Sequence, residues 1–385
     1  MFENIIGQDA LVGRLRNDLA ERSLPQALLI DGPRYAGKLS IALETARALT
    51  CRKNADWRCD CGACVRQRSL SHADTLLLGP RRFGAEIRTA VAAFERAPRF
   101  GTAYLSIRAL RKLARRFDPE LWPEQRIAKV APALRRLEEA LQDAEAAAER
   151  SDWKAVAAAC SLCLAEVPKI GSAAPKDLLP VDLIRAVSAR VRRSSFSESQ
   201  VVIIEEPQTA SVSALNALLK LLEEPPAATY FVFCCTAAAA LPDTVRSRVR
   251  HYYAPQRGAT AEAEVLRRIF HSDGQSLTAA IDGSQWHTIA TGLLEACTDR
   301  ADPLACRDAV EAALAEAGAG EGAVLLIEAL ADALRAALRR RTAPVSQRFA
   351  DLARQLALAR LDVQQLHLNS TAVLDTLLHA VGNAV

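Results

Sequence analysis

Ala27-Leu-Leu-Ile-Asp-Gly-Pro-Arg-Tyr-Ala-Gly-Lys-Leu-Ser40 runs from an unbroken apolar segment through a glycine-bounded turn into the start of a helix. An apolar run without alternation reads as a strand covered on both faces, as in parallel sheets. Gly32, Gly37 and Lys38 then meet the spacing G-x4-G-K of a phosphate loop. The glycines let backbone N–H groups turn inward around phosphates, and the helix N-terminus adds partial positive charge. The lysine neutralises the terminal phosphates. A hydroxyl is expected next, to hold Mg²⁺, but position 39 is leucine. Ser40 stands one helical step further, ~100° around the axis, and is not expected to replace it. Arg34 and Tyr35 also make the turn bulky. The loop therefore reads as a degenerate nucleotide site, compatible with weakened ATP binding or with its loss.

Working outward, helical spacing over residues 9–24 precedes the strand, and Pro25 ends that helix. The strand–helix alternation resumes far downstream. Val181–Arg193 and Val212–Glu224 have helical period, while Val201–Ile204 and Tyr230–Cys235 read as buried strands. Between them, from about 80 to 175, Ala/Arg/Leu/Glu-rich stretches such as Ala103–Phe117 and Ile127–Arg150 predict helices. The segment Gly171-Ser-Ala-Ala-Pro-Lys176 reads as a linker. Segments 1–79 and 176–250 thus form one α/β domain, a parallel sheet flanked by helices, interrupted by a helical insertion at 80–175. After Pro255 no strand is expected, and the remainder reads as helices broken near Gly318–Gly322 and at Pro344.

With 385 residues the chain is long enough for two or three domains. Half of it is hydrophobic and 24% charged, which excludes a disordered chain, and a net charge of +4 permits nucleic acid without arguing for it. No early stretch resembles a signal peptide, and no apolar run reaches the ~20 residues of a membrane span. A cytoplasmic location is expected. Four of the ten cysteines, Cys51, Cys59, Cys61 and Cys64, cluster within one short stretch. In such a chain they read as ligands of a structural Zn²⁺ before disulfides, Cys61-x2-Cys64 supplying a knuckle. Asp60 and His72 are spectators, and Cys160 and Cys163 are expected in the core.

Further candidates follow the strands. Glu205 and Glu206 end the strand at 201–204, where paired acids orient a metal and polarise water in nucleotide hydrolysis. Thr236 ends the next strand and is placed to sense a terminal phosphate. Asn216-Ala-Leu-Leu-Lys-Leu-Leu-Glu-Glu-Pro-Pro226 is a helix stopped by two prolines. Beyond it, Arg248 in Ser247-Arg248 is a candidate finger, a guanidinium offered to a triphosphate held by a neighbouring protomer. The run Arg108, Arg111, Lys112, Arg115 and Arg116 is a candidate face for DNA phosphates, with an ordinary solvated face as the alternative.

Several of these pieces together resemble the δ′ family of bacterial DNA polymerase III clamp-loader subunits, within the AAA+ superfamily. The resemblance rests on Ile6-Gly7-Gln8, Leu24-Pro-Gln-Ala-Leu-Leu-Ile30, the four cysteines with His72-Ala-Asp74, the 216–226 helix and Ser247-Arg248. Leu366–Asp375 adds a likeness to a final collar helix. It covers roughly 1–79 and 176–385; Val249 stands where a cysteine is usual, and the gap between Cys59 and Cys61 is one residue short. The resemblance implies an AAA+ domain at 1–250, carrying the cysteine module at 51–64, a small helical lid at 251–300 and a helical collar at 301–385 that joins a ring. It further implies γ/τ and δ partner subunits, a sliding clamp and primer–template DNA, with no membrane. The expected role is a non-hydrolysing stator that helps load the clamp and lends Arg248 to a neighbour. An ATP-hydrolysing γ/τ-type subunit is the alternative.

Overall fold

In a computed structural model of the chain, residues 1–79, 83–173, 179–193, 199–272, 276–282, 284–299, 307–317 and 319–339 are described, with a few positions between 352 and 376. Helix α1 (Asp9–Ala20) leads to strand β1 (Ala27–Asp31), the apolar run quoted above. The glycine turn follows, then α2 (Lys38–Thr50), short α3 (Gly62–Arg68) and strand β2 (Thr75–Leu78). Six helices come next: α4 (Gly84–Arg96), α5 (Phe100–Arg115), α6 (Glu124–Ile127), α7 (Ala131–Glu149), α8 (Trp153–Ala173) and α9 (Val181–Val191). Strand β3 (Gln200–Glu205), α10 (Val212–Glu223), β4 (Thr229–Cys235), α11 (Asp243–Arg246), β5 (Arg250–Tyr253) and α12 (Ala259–Val265) complete this part.

The five strands form one parallel sheet in the order β2-β3-β4-β1-β5. In β1, Leu29 lies opposite Phe233 of β4 and His251 of β5. Alternate residues go to opposite faces, and both faces are covered. Leu28, Ile30, Val201, Ile203 and Val232 pack with α1 and α2, including Leu15, Ile41 and Ala42. Leu29, Leu76, Val202, Ile204, Phe231 and Phe233 share a second cluster with Phe94, Leu110, Leu137, Leu141 and Cys163 of the inserted helices. This double burial explains why the strands show no polar alternation. The helices between 84 and 173 are therefore one wall of the sheet's core.

Two expectations need correcting. Strands β2 and β5 were missed: β2 is only four residues long, and β5 (Arg-His-Tyr-Tyr) is an edge strand with polar, exposed positions. The linker expected at 171–176 does not begin at Gly171, because α8 continues through Ala173; residues 174–176 lie outside the described ones. Separately, α8 is long and apolar enough to cross a membrane by length and composition, though Lys154, Glu166 and Lys169 interrupt its apolar run. Its Val156, Cys160, Cys163, Val167 and Ile170 are instead packed in the sheet's core, so it is a core helix with Lys154 and Lys169 exposed.

The chain divides into two compact units, Met1–Asp273 and Gly274–Val385. The second holds α13 (Leu277–Asp282), α14 (Ser284–Asp299), α15 (Arg307–Ala317) and α16 (Ala319–Arg339), and the last three build a separate core from Trp286, Leu293, Val310, Leu326 and Leu330. Of the helix break expected at 318–322, the part from 319 on is helical: α15 ends at Ala317 and α16 begins at Ala319, so Gly320 and Gly322 lie within α16. The stretch 366–375 and Pro344 lie outside the described residues.

Candidate functional site

The phosphate loop joins β1 to α2, and its glycines are demanded by the backbone. A methyl group on Gly32 would collide with the carbonyl oxygen of Ala254, which follows β5. Gly37 has φ +91°, a left-handed conformation that costs an L side chain energy. Lys38 opens α2 but is 7% exposed, and its ammonium donates to the carbonyls of Gly32 (2.8 Å) and Pro33 (2.6 Å). Burial pushes that ammonium below the usual lysine range, against the opposing attraction of Glu206 and the groups beside it. Leu39 packs against the core beside α1 and α2, while Ser40 is exposed. Position 39 thus carries an apolar side chain used in packing, and no hydroxyl takes its place.

A further set of contacts, which sequence reading missed, surrounds the loop. Gln8, 2% exposed, donates its amide to Ala36 O (3.0 Å) and Pro255 O (2.7 Å), tying the N-terminal segment to the loop and to the exit of β5. Arg257 follows that exit. Its Nε donates to Ile6 O at 2.9 Å and its Nη1 to Tyr35 O. Burial pulls the guanidinium below the usual arginine value, with Glu262 acting against it. No motif marked Arg257 in the sequence, because the contact depends on β5 running beside β1.

The paired acids part company. Glu206 sits at φ +48°, and its carboxylate accepts from Thr236 Oγ1 (2.6 Å) and from the amide of Gln208. Glu206 and Thr236 are thus brought together, with Gln208 as a third member. Glu205 is engaged by Arg116 instead, Nη2 to Oε2 at 2.5 Å, with side chains 5% and 17% exposed. Arg116 Nε and Nη1 are buried and find no hydrogen-bond partner among the described residues.

This pair belongs to a wider correction. The basic run in α5 was a candidate DNA face, yet each member is held internally. Arg108 donates to Gln67 O and Arg68 O, and Arg111 makes two bonds to Glu145 at 2.9 and 2.6 Å. Lys112 pairs with Glu86, and Arg115 pairs with Asp118 (3.2 Å) and donates to Thr75 O. Charges committed to carboxylates and carbonyls do not form a face that tracks phosphates. Helical periodicity alone could not distinguish the two, since the partners lie on α3, α4, α7 and the sheet.

The cysteine cluster does assemble. The Sγ atoms of Cys51, Cys59, Cys61 and Cys64 all lie within 4.8 Å of one another. Cys51 Sγ is 3.7 Å from Cys59 Sγ and 3.9 Å from Cys61 Sγ. A tetrahedron with Zn–S of ~2.3 Å has an edge of ~3.8 Å, so the donor set fits a four-thiolate ion. Backbone N–H groups of Lys53 and Cys64 point at Cys51 Sγ (3.3 Å) and Cys61 Sγ (3.4 Å). Burial alone would raise the Cys61 thiol, but N–H groups of Cys64 and Arg52 hold it down at about 6. Behind the cluster, Arg47 of α2 is 1% exposed; it pairs with Glu44 (2.8 Å) and reaches Cys64 Sγ (3.5 Å). Cys160 and Cys163 are buried core residues, as expected.

Arg248 emerges between α11 and β5 and is exposed. Its guanidinium donates to Glu223 Oε1 (2.6 and 3.0 Å) at the end of α10 and to Thr244 O (2.7 Å). Glu223 is the first acid of the Glu-Glu-Pro-Pro stop, so the proline-terminated helix sets the arginine's direction. Helix α10 begins with Ser211 as its N-cap, accepting from Ala214 N.

The sequence profile of a family described as DNA polymerase III, delta subunit, matches residues 7–118 and 139–256. That match reaches into 80–175, leaves out 119–138 and stops at Gln256. The chain is 35% identical to the DNA polymerase III subunit delta' of Escherichia coli K12 over 106 residues, 27% of this chain and 32% of that protein. It is 34% identical to the DNA polymerase III subunit gamma/tau of Mycobacterium tuberculosis H37Rv over 88 residues, 22% of this chain and 15% of that one. The chain thus spans about a third of the first relative's length and less of the second's. A crystal structure of a DNA polymerase III gamma subunit-related protein from Thermotoga maritima matches with a TM-score of 0.31 and 16% identity, over 53% of this chain and 79% of that one.

Proposed function

This chain belongs to the DNA polymerase III delta subunit family, and from that premise we propose that it is a δ′-type clamp-loader subunit that does not hydrolyse ATP itself. On this reading it assembles with γ/τ- and δ-type subunits and helps place a sliding clamp on primed DNA. Residues 251–300 and 301–385 serve as lid and collar. Leu39 carries the reading: the position that would hold Mg²⁺ is filled by a half-buried apolar side chain packed against the core. Arg248 is the trans-acting finger, and Glu223 holds it at the surface until a neighbour's triphosphate competes for it. Cys51, Cys59, Cys61 and Cys64 hold a structural zinc ion, which closes the loop between α2 and α3.

ATP turnover tests the first part. The purified chain is expected to show none above background; sustained hydrolysis abolished by Lys38→Ala would replace this reading with the γ/τ-type one. For the finger, Arg248→Ala in a reconstituted loader is expected to cut ATPase activity by ~10³-fold, the lower end of what such arginines contribute, without preventing assembly. Unchanged turnover removes Arg248 from the role.

A further inference from the structure

The carbonyls of Ile6 and Tyr35, one from the N-terminal segment and one from the phosphate loop, both accept hydrogen bonds from the guanidinium of Arg257. The same group rests over Gly37: a methyl there would lie 2.5 Å from Arg257 Nη2 and 3.4 Å from its Cζ. Glycine is used at this position so that something can approach the backbone closely. What approaches it here is a side chain of the same polypeptide. Gln8 braces the arrangement, because its amide joins Ala36 of the loop to Pro255, two residues before the arginine.

We propose that Arg257 is the residue that decides whether the cradle admits a nucleoside triphosphate: its guanidinium is an internal occupant of the space over Gly37, and nucleotide binds only when that group has left. A cation beside a phosphate loop could instead draw phosphates in. The placement of its donors argues against that here. Nε and Nη1 are spent on two backbone carbonyls, and the remaining nitrogen, Nη2, stands where a methyl on Gly37 would be, so a phosphate over Gly37 meets the guanidinium itself before the loop's N–H groups. Displacement would also leave the Ile6 and Tyr35 carbonyls without these partners. Leu39 removes the metal ligand, whereas Arg257 removes the room; the two are separate losses.

Because the assignment deepens the non-hydrolysing reading and rests on the phosphate-loop identity of residues 32–38, its test must fail independently of that reading. Titration calorimetry of the full chain with ATP, with and without Mg²⁺, is run on the wild type, Arg257→Ala and Arg257→Lys. The lysine variant keeps the stem and charge but cannot reach both carbonyls, so it carries the test if the alanine variant does not fold. If the occupied cradle makes up ~90–99% of molecules, removing the occupant raises apparent affinity ~10–100-fold. That gain is expected in Arg257→Ala, a smaller one in Arg257→Lys, and its loss on adding Lys38→Ala, which places the binding at the loop. Equal or weaker ATP binding in folded Arg257 variants overturns the assignment and leaves the clamp-loader reading standing. Hydrolysis by the wild type would overturn the non-hydrolysing reading, and the affinity comparison among the Arg257 variants would still decide the assignment.

Discussion

Arg116 shows how one residue can change the meaning of a neighbour. Glu205 ends β3 where a metal-orienting acid is expected, yet its carboxylate is 2.5 Å from a guanidinium that is 5% exposed. A divalent ion would have to displace that cation. Removing one member of a largely buried pair leaves the other charge uncompensated, which typically costs ~3–5 kcal/mol. Arg116→Met is therefore expected to lower stability by ~3 kcal/mol, toward the low end because Glu205 keeps some contact with water. Urea denaturation measures it, and a change below ~0.5 kcal/mol, the size typical of surface substitutions, would contradict the pairing. His72 makes a second case. It is 3% exposed, its Nδ1 accepts from Asp74 N, and burial lowers its pKa below the ordinary 6.5, with Asp74 opposing. The folded state then binds a proton less readily than the unfolded one, so stability is full above pH ~6.5 and falls as pH drops below it. His72→Gln is expected to flatten the decline in Tm between pH 7 and 5.5; an unaltered slope counts against it.

At the scale of elements, the cysteine cluster and α2 are linked. Arg47 lies on the helix that Lys38 opens, and its guanidinium reaches Ala55 O, Asp56 O and Cys64 Sγ. Zinc analysis of the purified chain is expected to give one equivalent. On the proposed zinc assignment, chelation should expose Cys51 to Cys64 to alkylation and lower Tm, because metal binding and loop order are then coupled. A metal-free protein with an unchanged melting curve would reject the site. The cluster was readable beforehand because C-x2-C spacing is local. The phosphate loop and the α10 stop were legible for the same reason, each being a short run with a fixed mechanical demand. Arg116, Arg257 and Gln208 were not, because each acts through a residue brought near only by strand order or by helix packing on the sheet. The basic stripe of α5 was misread for the complementary reason: charge spacing along one helix says nothing about carboxylates delivered by others.

Across the whole molecule, the two compact units have separate cores. The clusters on the sheet's faces use residues up to Ala254, and the second unit's cluster begins at Trp286. A chain ending at residue 273 is expected to unfold cooperatively, with a Tm within a few degrees of the first transition of the full chain. A non-cooperative melt would show that the first unit depends on the second. Fold class was legible at this scale from three apolar runs and one glycine turn. The helical segment at 80–175 looked like an appendage because its own periodicity is complete. Only its shared core with Val202, Ile204 and Phe231 shows it to be a wall.

Sheet order also bears on how the chain is made. Strand β1 is synthesised first, yet its hydrogen-bonding neighbours are β4 and β5, the last two strands. A ribosome adding ~5–20 residues per second needs on the order of 10–50 s to reach Tyr253. For most of that time, until β4 is made, Ala27–Ile30 has no native strand partner, and an unpaired apolar strand is prone to adhere to other chains. Nascent chains arrested just before β5 should therefore be captured by holdase chaperones, and those released beyond the unit's end should not.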